Sequence, residues 1–430
     1  MSINRQLLFV TIFLSVLALT NLYVYRRFFL RLSPRLHLAG AVLMSVIMLG
    51  ELVFVIDMVV GIFPESLAVY LLLSTFIGAS FMLFVIALVY DLAVSVSRRV
   101  PFDQERRRTI KVIFDTAMLI AAASYLWRGF IQGTKQPVVN DVVVRIKDFP
   151  FNGLSIVQLT DVHIGRTIKR DFLEEIVRRT NEMQPDIVVI TGDLFDLPPG
   201  EIIDELQPLA KLDAPTYFVT GNHEYFHGVE PVLKTVESLG IKALTNKAVQ
   251  FGDGEKHFNL VGLNDLTGGR FGIRPPNVEE AYSQIDESIS TIVLSHQPKS
   301  ISLVEERRCD LMLSGHTHGG QIFPFGWLVK IDQPYLAGLY EHLPGKQIFV
   351  MIPASSKVSV LLAFNRNDSP VEASTTWSDG PPAKSTPTSM KWISPLDVFS
   401  SIAGLPIMAR ERPKFRMFAR VMADIRITPG

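Results

Sequence analysis

The chain has 430 residues, 48% of them hydrophobic, and its mean hydropathy is positive, which indicates that part of it lies in a membrane. Lys and Arg together number 42, as do Asp and Glu, so no overall charge points to nucleic acid or to an acidic partner. The single cysteine, Cys309, excludes an intramolecular disulfide and a cysteine-based zinc site, and we expect it to be a small buried side chain.

Apolar segments near the amino terminus predict an α-helical membrane bundle of about four spans. The first and third segments have no charged residue and are long enough for a helix to cross a hydrocarbon core of about 30 Å. The second carries Glu51, and the fourth is shorter and carries Asp115; carboxylates in a membrane are costly and often functional. The four segments are Leu7–Tyr25, Leu38–Ile56, Leu67–Tyr90 and Val112–Trp127.

The first segment also has the features of a signal peptide core. Arg26 and Arg27 directly after it, and the apolar segments that follow, favour a membrane anchor instead.

The distribution of Lys and Arg predicts the orientation in the membrane. The loops after the first and third segments are basic, whereas the loop over residues 61–66 has no Lys or Arg. By the positive-inside rule the basic loops are cytoplasmic, so four spans place the second half of the chain outside, at the plasma membrane. If Val112–Trp127 does not cross, that half is cytoplasmic. The basic residues are Arg26, Arg27, Arg31, Arg35, Arg98, Arg99, Arg106, Arg107, Arg108 and Lys111.

Beyond a linker over residues 132–137, short apolar strands alternate with amphipathic helices, as in an α/β domain with parallel strands. We therefore expect a membrane domain over 1–131 and an α/β domain over 138–364. The tail over 365–430 is rich in Ser, Thr and Pro, which predicts disorder or loose order. Strands are predicted at Leu154–Leu159, Ile187–Ile190, Thr216–Val219, Leu260–Leu263, Thr291–Leu294 and Leu311–Leu313.

Five of these strands end in Asp, Asn or His side chains. Ligands in open α/β sheets bind at the carboxyl ends of strands, so we expect these side chains to converge. Oxygen and imidazole donors without sulfur suit Mn, Fe, Zn or Mg ions, and their number exceeds what one ion needs. The pattern therefore predicts two divalent metal ions. The five motifs are Asp161-Val162-His163, Gly192-Asp193-Leu194-Phe195-Asp196, Gly221-Asn222-His223-Glu224, Ser295-His296 and Gly315-His316-Thr317-His318.

Each motif alone has a simpler interpretation. Asp and Asn are ordinary turn-forming residues, and an isolated H-x-H such as His316-Thr317-His318 is most often a solvated turn. Five such motifs in order, each at a strand end, favour the metal site.

These motifs resemble the calcineurin-like metallophosphoesterase family, whose pattern D-x-H, G-D-x-x-D, G-N-H-E, an isolated His and G-H-x-H has every member here. Gly319-Gly320-Gln321 and Asn264-Asp265 are similar to the YkuE-like branch and to the vertebrate transmembrane protein with metallophosphoesterase domain. The resemblance covers residues 138–350 and implies a four-layer α/β sandwich, with two sheets between helices. It also implies that the protein is a membrane-anchored phosphoesterase.

The resemblance also implies roles for individual residues. Two ions about 3.5–4 Å apart can hold a hydroxide that attacks phosphorus, and a bridging carboxylate, Asp193, would bind both. His223 would protonate the leaving oxygen, and Asp196 would orient its imidazole. The implied ligands of one ion are Asp161, His163, Asp193 and His318, and those of the other are Asp193, Asn222, His296 and His316.

One segment departs from the family pattern, and one segment of the tail allows two interpretations. The segment Met351–Lys357 lacks the glycines usual near the metals, and Arg410–Arg426 is basic enough for either a solvated helix or a membrane-surface contact. The expected partners are a phosphate ester, as a monoester, diester or pyrophosphate, and the lipid bilayer, with no nucleic acid. The membrane anchor suggests that the ester is a lipid or is derived from the cell envelope. The alternative function is a non-hydrolytic membrane protein that uses the α/β domain as a scaffold or ligand reader.

Overall fold

The computed structural model describes residues 3–31, 34–60, 67–97, 113–125, 127, 138–254, 256–320, 326–351 and 357–365. These residues belong to two compact units, which divide between Thr134 and Lys135. The predicted linker at 132–137, residues 352–356 and the predicted tail from 366 onward lie outside the described residues, as do residues 61–66 and 98–112.

The amino-terminal unit is helical, as the apolar segments predict. Among the described residues, three helices are long and apolar enough to cross a membrane: α1 (Ile3–Arg27), α2 (His37–Val60) and α3 (Leu67–Ser97). The fourth predicted span is found as a shorter apolar helix, α4 (Ile113–Tyr125).

The carboxylates in these helices contact polar groups of neighbouring helices. Asn21 Nδ2 donates a hydrogen bond of 2.6 Å to Glu51 Oε2, and both side chains are buried. Tyr90 OH donates to Asp115 Oδ1 at 2.7 Å. Polar contacts between helices are a usual means of holding a bundle together in a membrane, where water supplies no alternative partner.

The second unit contains two six-stranded sheets. The first has the order β1-β12-β2-β3-β4-β5, and the second has the order β10-β11-β9-β8-β7-β6. In the first sheet, β2, β3 and β4 are parallel to one another; in the second, β7, β8 and β9 are. The strands are β1 Val138–Ile146, β2 Leu154–Leu159, β3 Ile187–Thr191, β4 Thr216–Val219, β5 Lys242–Ala243, β6 Lys247–Asp253, β7 Lys256–Gly262, β8 Thr291–Leu294, β9 Leu311–Ser314, β10 Gly338–Leu343, β11 Lys346–Val350 and β12 Lys357–Asn365.

Apolar side chains alternate along the central strands because successive residues of a strand point to opposite faces. Leu260 of β7 and Ile292 of β8 join the core shared with strands of the first sheet, whereas Val261 and Val293 pack on the outer face. The two sheets therefore face each other across one apolar core, with helices outside, which confirms the predicted fold class. The helices are α5 Arg170–Glu182, α6 Ile203–Leu206, α7 Asn222–Phe226, α8 Val229–Ser238, α9 Thr267–Phe271, α10 Val278–Tyr282 and α11 Gly326–Asp332.

Candidate metal centre

The five motifs follow the carboxyl ends of β2, β3, β4, β8 and β9, and the fold brings these ends together. Both sheets contribute: Gln158 of β2 donates hydrogen bonds to Thr191 Oγ1 (2.8 Å) and to the Ser314 carbonyl of β9 (3.1 Å). The strand register thus fixes the distance between loops that are remote in sequence.

Five non-glycine residues of the motifs have a left-handed backbone. Such a conformation costs on the order of 1–3 kcal/mol for each residue, and clusters of it mark functional sites. The surrounding hydrogen bonds hold the backbone in this state; for example, His163 N donates to the Asp193 carbonyl at 3.0 Å. The φ angles are 51° for Asp161, 53° for His163, 51° for Asp193, 69° for His316 and 48° for His318.

The first group of donors consists of Asp161, His163 and His318, all buried, with donor atoms within 4.8 Å of one another. His318 Nε2 lies 3.2 Å from Asp161 Oδ1 and 3.4 Å from His163 Nε2. Asp161 is held by His316 N, which donates to both carboxylate oxygens at 3.1 and 3.0 Å. Thr160 Oγ1 also donates to Asp161 Oδ2, at 2.6 Å.

The second group consists of Asp193, His296 and His316, with Asn222 beside it. His296 Nε2 lies 3.1 Å from Asp193 Oδ2, 3.2 Å from His316 Nδ1 and 3.1 Å from Asn222 Oδ1. His316 and Asn222 are only partly buried, whereas His296 and Asp193 are buried. The partly exposed pair therefore marks the open side of the site.

Asp196 contacts both His163 and His223. His163 Nδ1 donates to Asp196 Oδ1 at 2.7 Å, and the same oxygen lies 2.8 Å from His223 Nδ1. The contact with His223 is at ion-pair distance but lacks hydrogen-bond geometry. Asp196 therefore orients the imidazole of His163 at least as firmly as that of His223.

Glu224 has a structural role that was not predicted from the sequence. Its buried carboxylate accepts backbone hydrogen bonds from Gly221 N (2.6 Å) and Asp193 N (3.0 Å) at one oxygen. Its other oxygen accepts from Leu194 N (2.9 Å) and Phe195 N (3.2 Å). Glu224 thus fixes the loop that carries Asp193. The available signal was its position three residues after Gly221, where a glutamate caps the start of a helix.

Behind His296 a second buried network was also missed. Gln297 Nε2 donates to both oxygens of Asp265, at 2.9 and 3.0 Å, and Gln333 Nε2 donates to Gln297 Oε1 at 3.2 Å. The backbone N–H of Asp265 donates to Thr220 Oγ1 at 3.1 Å. Gln297, which follows His296, is therefore hydrogen-bonded to Asp265 through its Nε2 and to Gln333 through its Oε1.

Two glycines allow the loops to approach the candidate ligands. A Cβ at Gly221 would overlap Asp193 N and Asp193 Oδ1, and a Cβ at Gly315 would overlap Thr160 Oγ1 and Asp161 Oδ2. No larger residue fits either position without moving a carboxylate.

The buried charges perturb one another strongly. Burial opposes protonation of His163, but Asp196, Asp193 and Asp161 outweigh burial and raise its pKa to about 10. Burial opposes ionisation of Asp193, but the neighbouring His296 and His223 outweigh it, and its pKa lies well below the usual value. For His316, burial and the charge of His296 lower the pKa to about 3. The site therefore combines ionised carboxylates with a neutral imidazole.

The arrangement fits bound cations. His163 Nδ1 and His296 Nδ1 donate to Asp196 and to the Thr191 carbonyl (2.8 Å), so Nε2 of each ring points into the cluster. There the two Nε2 atoms lie 3.4 and 3.2 Å from other ring nitrogens, with carboxylate oxygens beside them. The carboxylates that raise the pKa of His163 attract positive charge, and a divalent metal bound at Nε2 would take the place of the ring proton. Oxygen and imidazole donors suit such an ion.

Comparisons with known proteins agree with this geometry. Residues 154–320 match the model of the calcineurin-like phosphoesterase family. A Helicobacter pylori protein named as an uncharacterized metallophosphoesterase is 36% identical over 344 residues, which cover 79% of this chain and 90% of that protein. The Danio rerio transmembrane protein with metallophosphoesterase domain is 34% identical over 256 residues, or 57% of each chain. The phosphodiesterase YaeI of Escherichia coli is 34% identical over 197 residues, which cover 43% of this chain and 69% of that protein.

The fold, the donor groups and these relatives define the class as a metal-dependent phosphoesterase with apolar membrane helices before its catalytic domain. The chain belongs to the calcineurin-like metallophosphoesterase family. The predictions of the family, of a hydrolase and of a membrane protein are confirmed.

Proposed function

We propose that the protein is a membrane-anchored phosphoesterase that uses two divalent metal ions, of Mn, Fe or Zn. The position of Asp193 carries this proposal. Its Oδ2 lies 3.1 Å from His296 Nε2 in the second group and 4.0 Å from His163 Nε2 in the first, so one carboxylate lies between the two groups.

We infer the ligand sets from this position. Asp161, His163 and His318 would hold one ion, and His296, His316 and Asn222 would hold the other, with Asp193 shared. When bound, two such ions supply a nucleophile from water and stabilise negative charge on the phosphoryl group. A metal site also needs deprotonated donors, which the ionised carboxylates provide.

His223 is the proposed proton donor to the leaving oxygen. It is buried, its Nε2 lies 3.9 Å from Asp193 Oδ2, and its Nδ1 lies 2.8 Å from Asp196 Oδ1. Burial of the His223 ring opposes its protonation, but Asp193 and Asp196 outweigh burial and raise the pKa of His223 above the usual value. The protonated ring is therefore favoured. A protonated imidazole beside the metals can serve as a general acid.

We further propose that the catalytic domain lies on the extracytoplasmic side of the plasma membrane. With both basic loops cytoplasmic, this orientation requires that the short helix Ile113–Tyr125 complete a fourth crossing. A reporter fused after Lys135 tests it. Activity of a phosphatase reporter that works only outside the cytoplasm is expected, and fluorescence of a cytoplasm-only reporter would contradict the orientation.

Hydrolysis itself is tested with the purified full-length chain in nanodiscs, assayed with Mn²⁺ against a panel of soluble mono- and diesters. We expect hydrolysis that stops on chelation and returns with Mn²⁺. Asp193→Asn should abolish it because the substitution weakens both ions, whereas the matched variant Asp204→Asn, at an exposed position of α6, should keep the parent rate. Metal-independent hydrolysis, or equal rates for the two variants, would contradict the proposal.

A further inference from the structure

Helix α11, Gly326–Asp332, has an unusual surface. None of its residues is buried, and three are large apolar side chains: Trp327 is 68% exposed, Leu328 59% and Ile331 81%. Trp327 and Ile331 are four residues apart and lie one above the other, and Leu328 lies about 100° around the helix from Trp327, so the three side chains share one side of the helix. Single exposed apolar residues are ordinary, but a cluster of them on one face marks a contact surface.

The degree of exposure indicates which surface this face contacts. Among the residues of the α/β unit whose side-chain exposure the structure describes, which excludes β12, these three are the only large hydrophobic side chains that are more than half exposed. Elsewhere in the described part of the chain, that exposure occurs on the apolar helices of the amino-terminal unit, as for Leu38 (76%) and Leu92 (68%). The α11 face thus has the same degree of exposure as apolar side chains on the helices that are long and apolar enough to cross a membrane.

Helix α11 is also joined to the metal centre at both ends. At its start, Gly326 packs directly against Gly320, in the turn that begins at His318. Just beyond its end, the buried Gln333 accepts a hydrogen bond from Lys299 N and donates to Gln297 Oε1, each at 3.2 Å. Gln297 follows His296 directly. Binding of α11 to a surface would therefore bring the candidate metal centre close to that surface.

We propose that the apolar face of α11 docks into the interface of the bilayer in which the chain is anchored, so that the site acts on a phosphate ester carried by a membrane lipid. The substrate class rests on the proposed function; the docking does not. The eleven peptide steps from the apolar helix residue Trp127 to the start of β1 at Val138 span at most about 40 Å, which keeps the domain within reach of the bilayer. An apolar helix face with an exposed lysine, Lys330, suits insertion at the boundary of headgroups and acyl chains.

The docking is tested by the fluorescence of Trp327 in the full-length chain. The other tryptophans, Trp127, Trp377 and Trp392, are replaced by Phe, and the protein is placed in nanodiscs of phosphatidylethanolamine and phosphatidylglycerol. Lipids brominated near the headgroup end of the acyl chain should quench Trp327, and aqueous acrylamide should quench it weakly. As a matched control, Ile203→Trp with Trp327→Phe places the probe at an exposed position of α6, where acrylamide should quench and brominated lipid should not.

Two outcomes would overturn the docking. Quenching of Trp327 by acrylamide alone would leave the face in water, and protection from both quenchers would place it against protein, such as a second copy of this chain.

The lipid substrate is tested separately with Leu328→Ser plus Ile331→Ser, compared with Ile203→Ser. Because burial of each such side chain is worth about a tenfold to hundredfold effect, removal of both should lower hydrolysis of phosphatidic acid or phosphatidylglycerol in the nanodisc by about a hundredfold or more, and hydrolysis of a soluble nitrophenyl ester should not change. Equal loss on both esters would contradict a lipid substrate. If the parent hydrolyses neither ester, the proposed function fails, and the fluorescence result still decides the docking.

Discussion

Replacing Glu224 by Gln removes the charge that organises the Asp193 loop while keeping the size of the side chain. The four N–H groups it accepts divide between its two oxygens: Gly221 N and Asp193 N on one, and Leu194 N and Phe195 N on the other. A glutamine offers one oxygen, so its NH₂ group must face two of these donors. Two hydrogen bonds to a charged acceptor, each worth about 1.5–3 kcal/mol, are lost, for a total of about 3–6 kcal/mol.

This loss is measured by thermal unfolding of the full-length chain in detergent, together with its Mn²⁺ content. At about 2–4 °C for each kcal/mol in a domain of this size, the midpoint should fall by roughly 6–24 °C. Bound Mn²⁺ should also fall because Asp193 is no longer positioned. The control is Glu174→Gln, which removes an exposed ion pair with Arg170 and should cost less than about 1 kcal/mol. Equal unfolding temperatures and equal metal content in the two variants would contradict an organising role for Glu224.

Two further predictions concern the chemistry and the close approach of the loops. His223→Ala should retain its Mn²⁺ but lose about 10²–10⁴-fold in hydrolysis of an alkyl ester, and less with a nitrophenyl ester whose leaving group needs no proton; equal losses for both esters would remove the general-acid role. Gly221→Ala should lower Mn²⁺ content because the added Cβ overlaps Asp193. The control Gly200→Ala should match the parent, because no atom lies within 4 Å of its added Cβ. Unchanged metal content in Gly221→Ala would contradict the close packing of Gly221 against Asp193.

The central strands could be predicted from the sequence because they are short, apolar and bounded by turn residues. β2 and β4 have the predicted bounds, and β3 and β9 extend one residue further. The pairing of β1 with β12 was not predicted, because it joins segments more than 200 residues apart and has no local signal. The antiparallel hairpin of β10 and β11 was missed for a different reason: β10 has no buried residue and no continuous apolar run, so its sequence does not indicate a strand.

The candidate ligands were predictable because each lies in a short motif directly after a strand. Their supporting residues were not, because their roles depend on contacts across the fold. Glu224 acts through the backbone of residues some 30 positions earlier, and Gln158 links two different sheets. The fourth span was predicted from hydropathy alone. Hydropathy indicates that a segment is apolar, but it does not determine how long its helix is, and the helix Ile113–Tyr125 is shorter than the other three.

A two-metal centre joined by Asp193 is tested most directly by the electron paramagnetic resonance spectrum of the Mn²⁺-loaded, full-length protein, together with the metal content of the same sample. If Asp193 joins two ions about 3.5–4 Å apart, the chain binds two Mn²⁺ whose spectrum shows magnetic coupling, and Asp193→Asn loses that coupling. Binding of a single Mn²⁺, or of two ions with the uncoupled spectrum of isolated Mn²⁺, would contradict a two-metal centre built on Asp193.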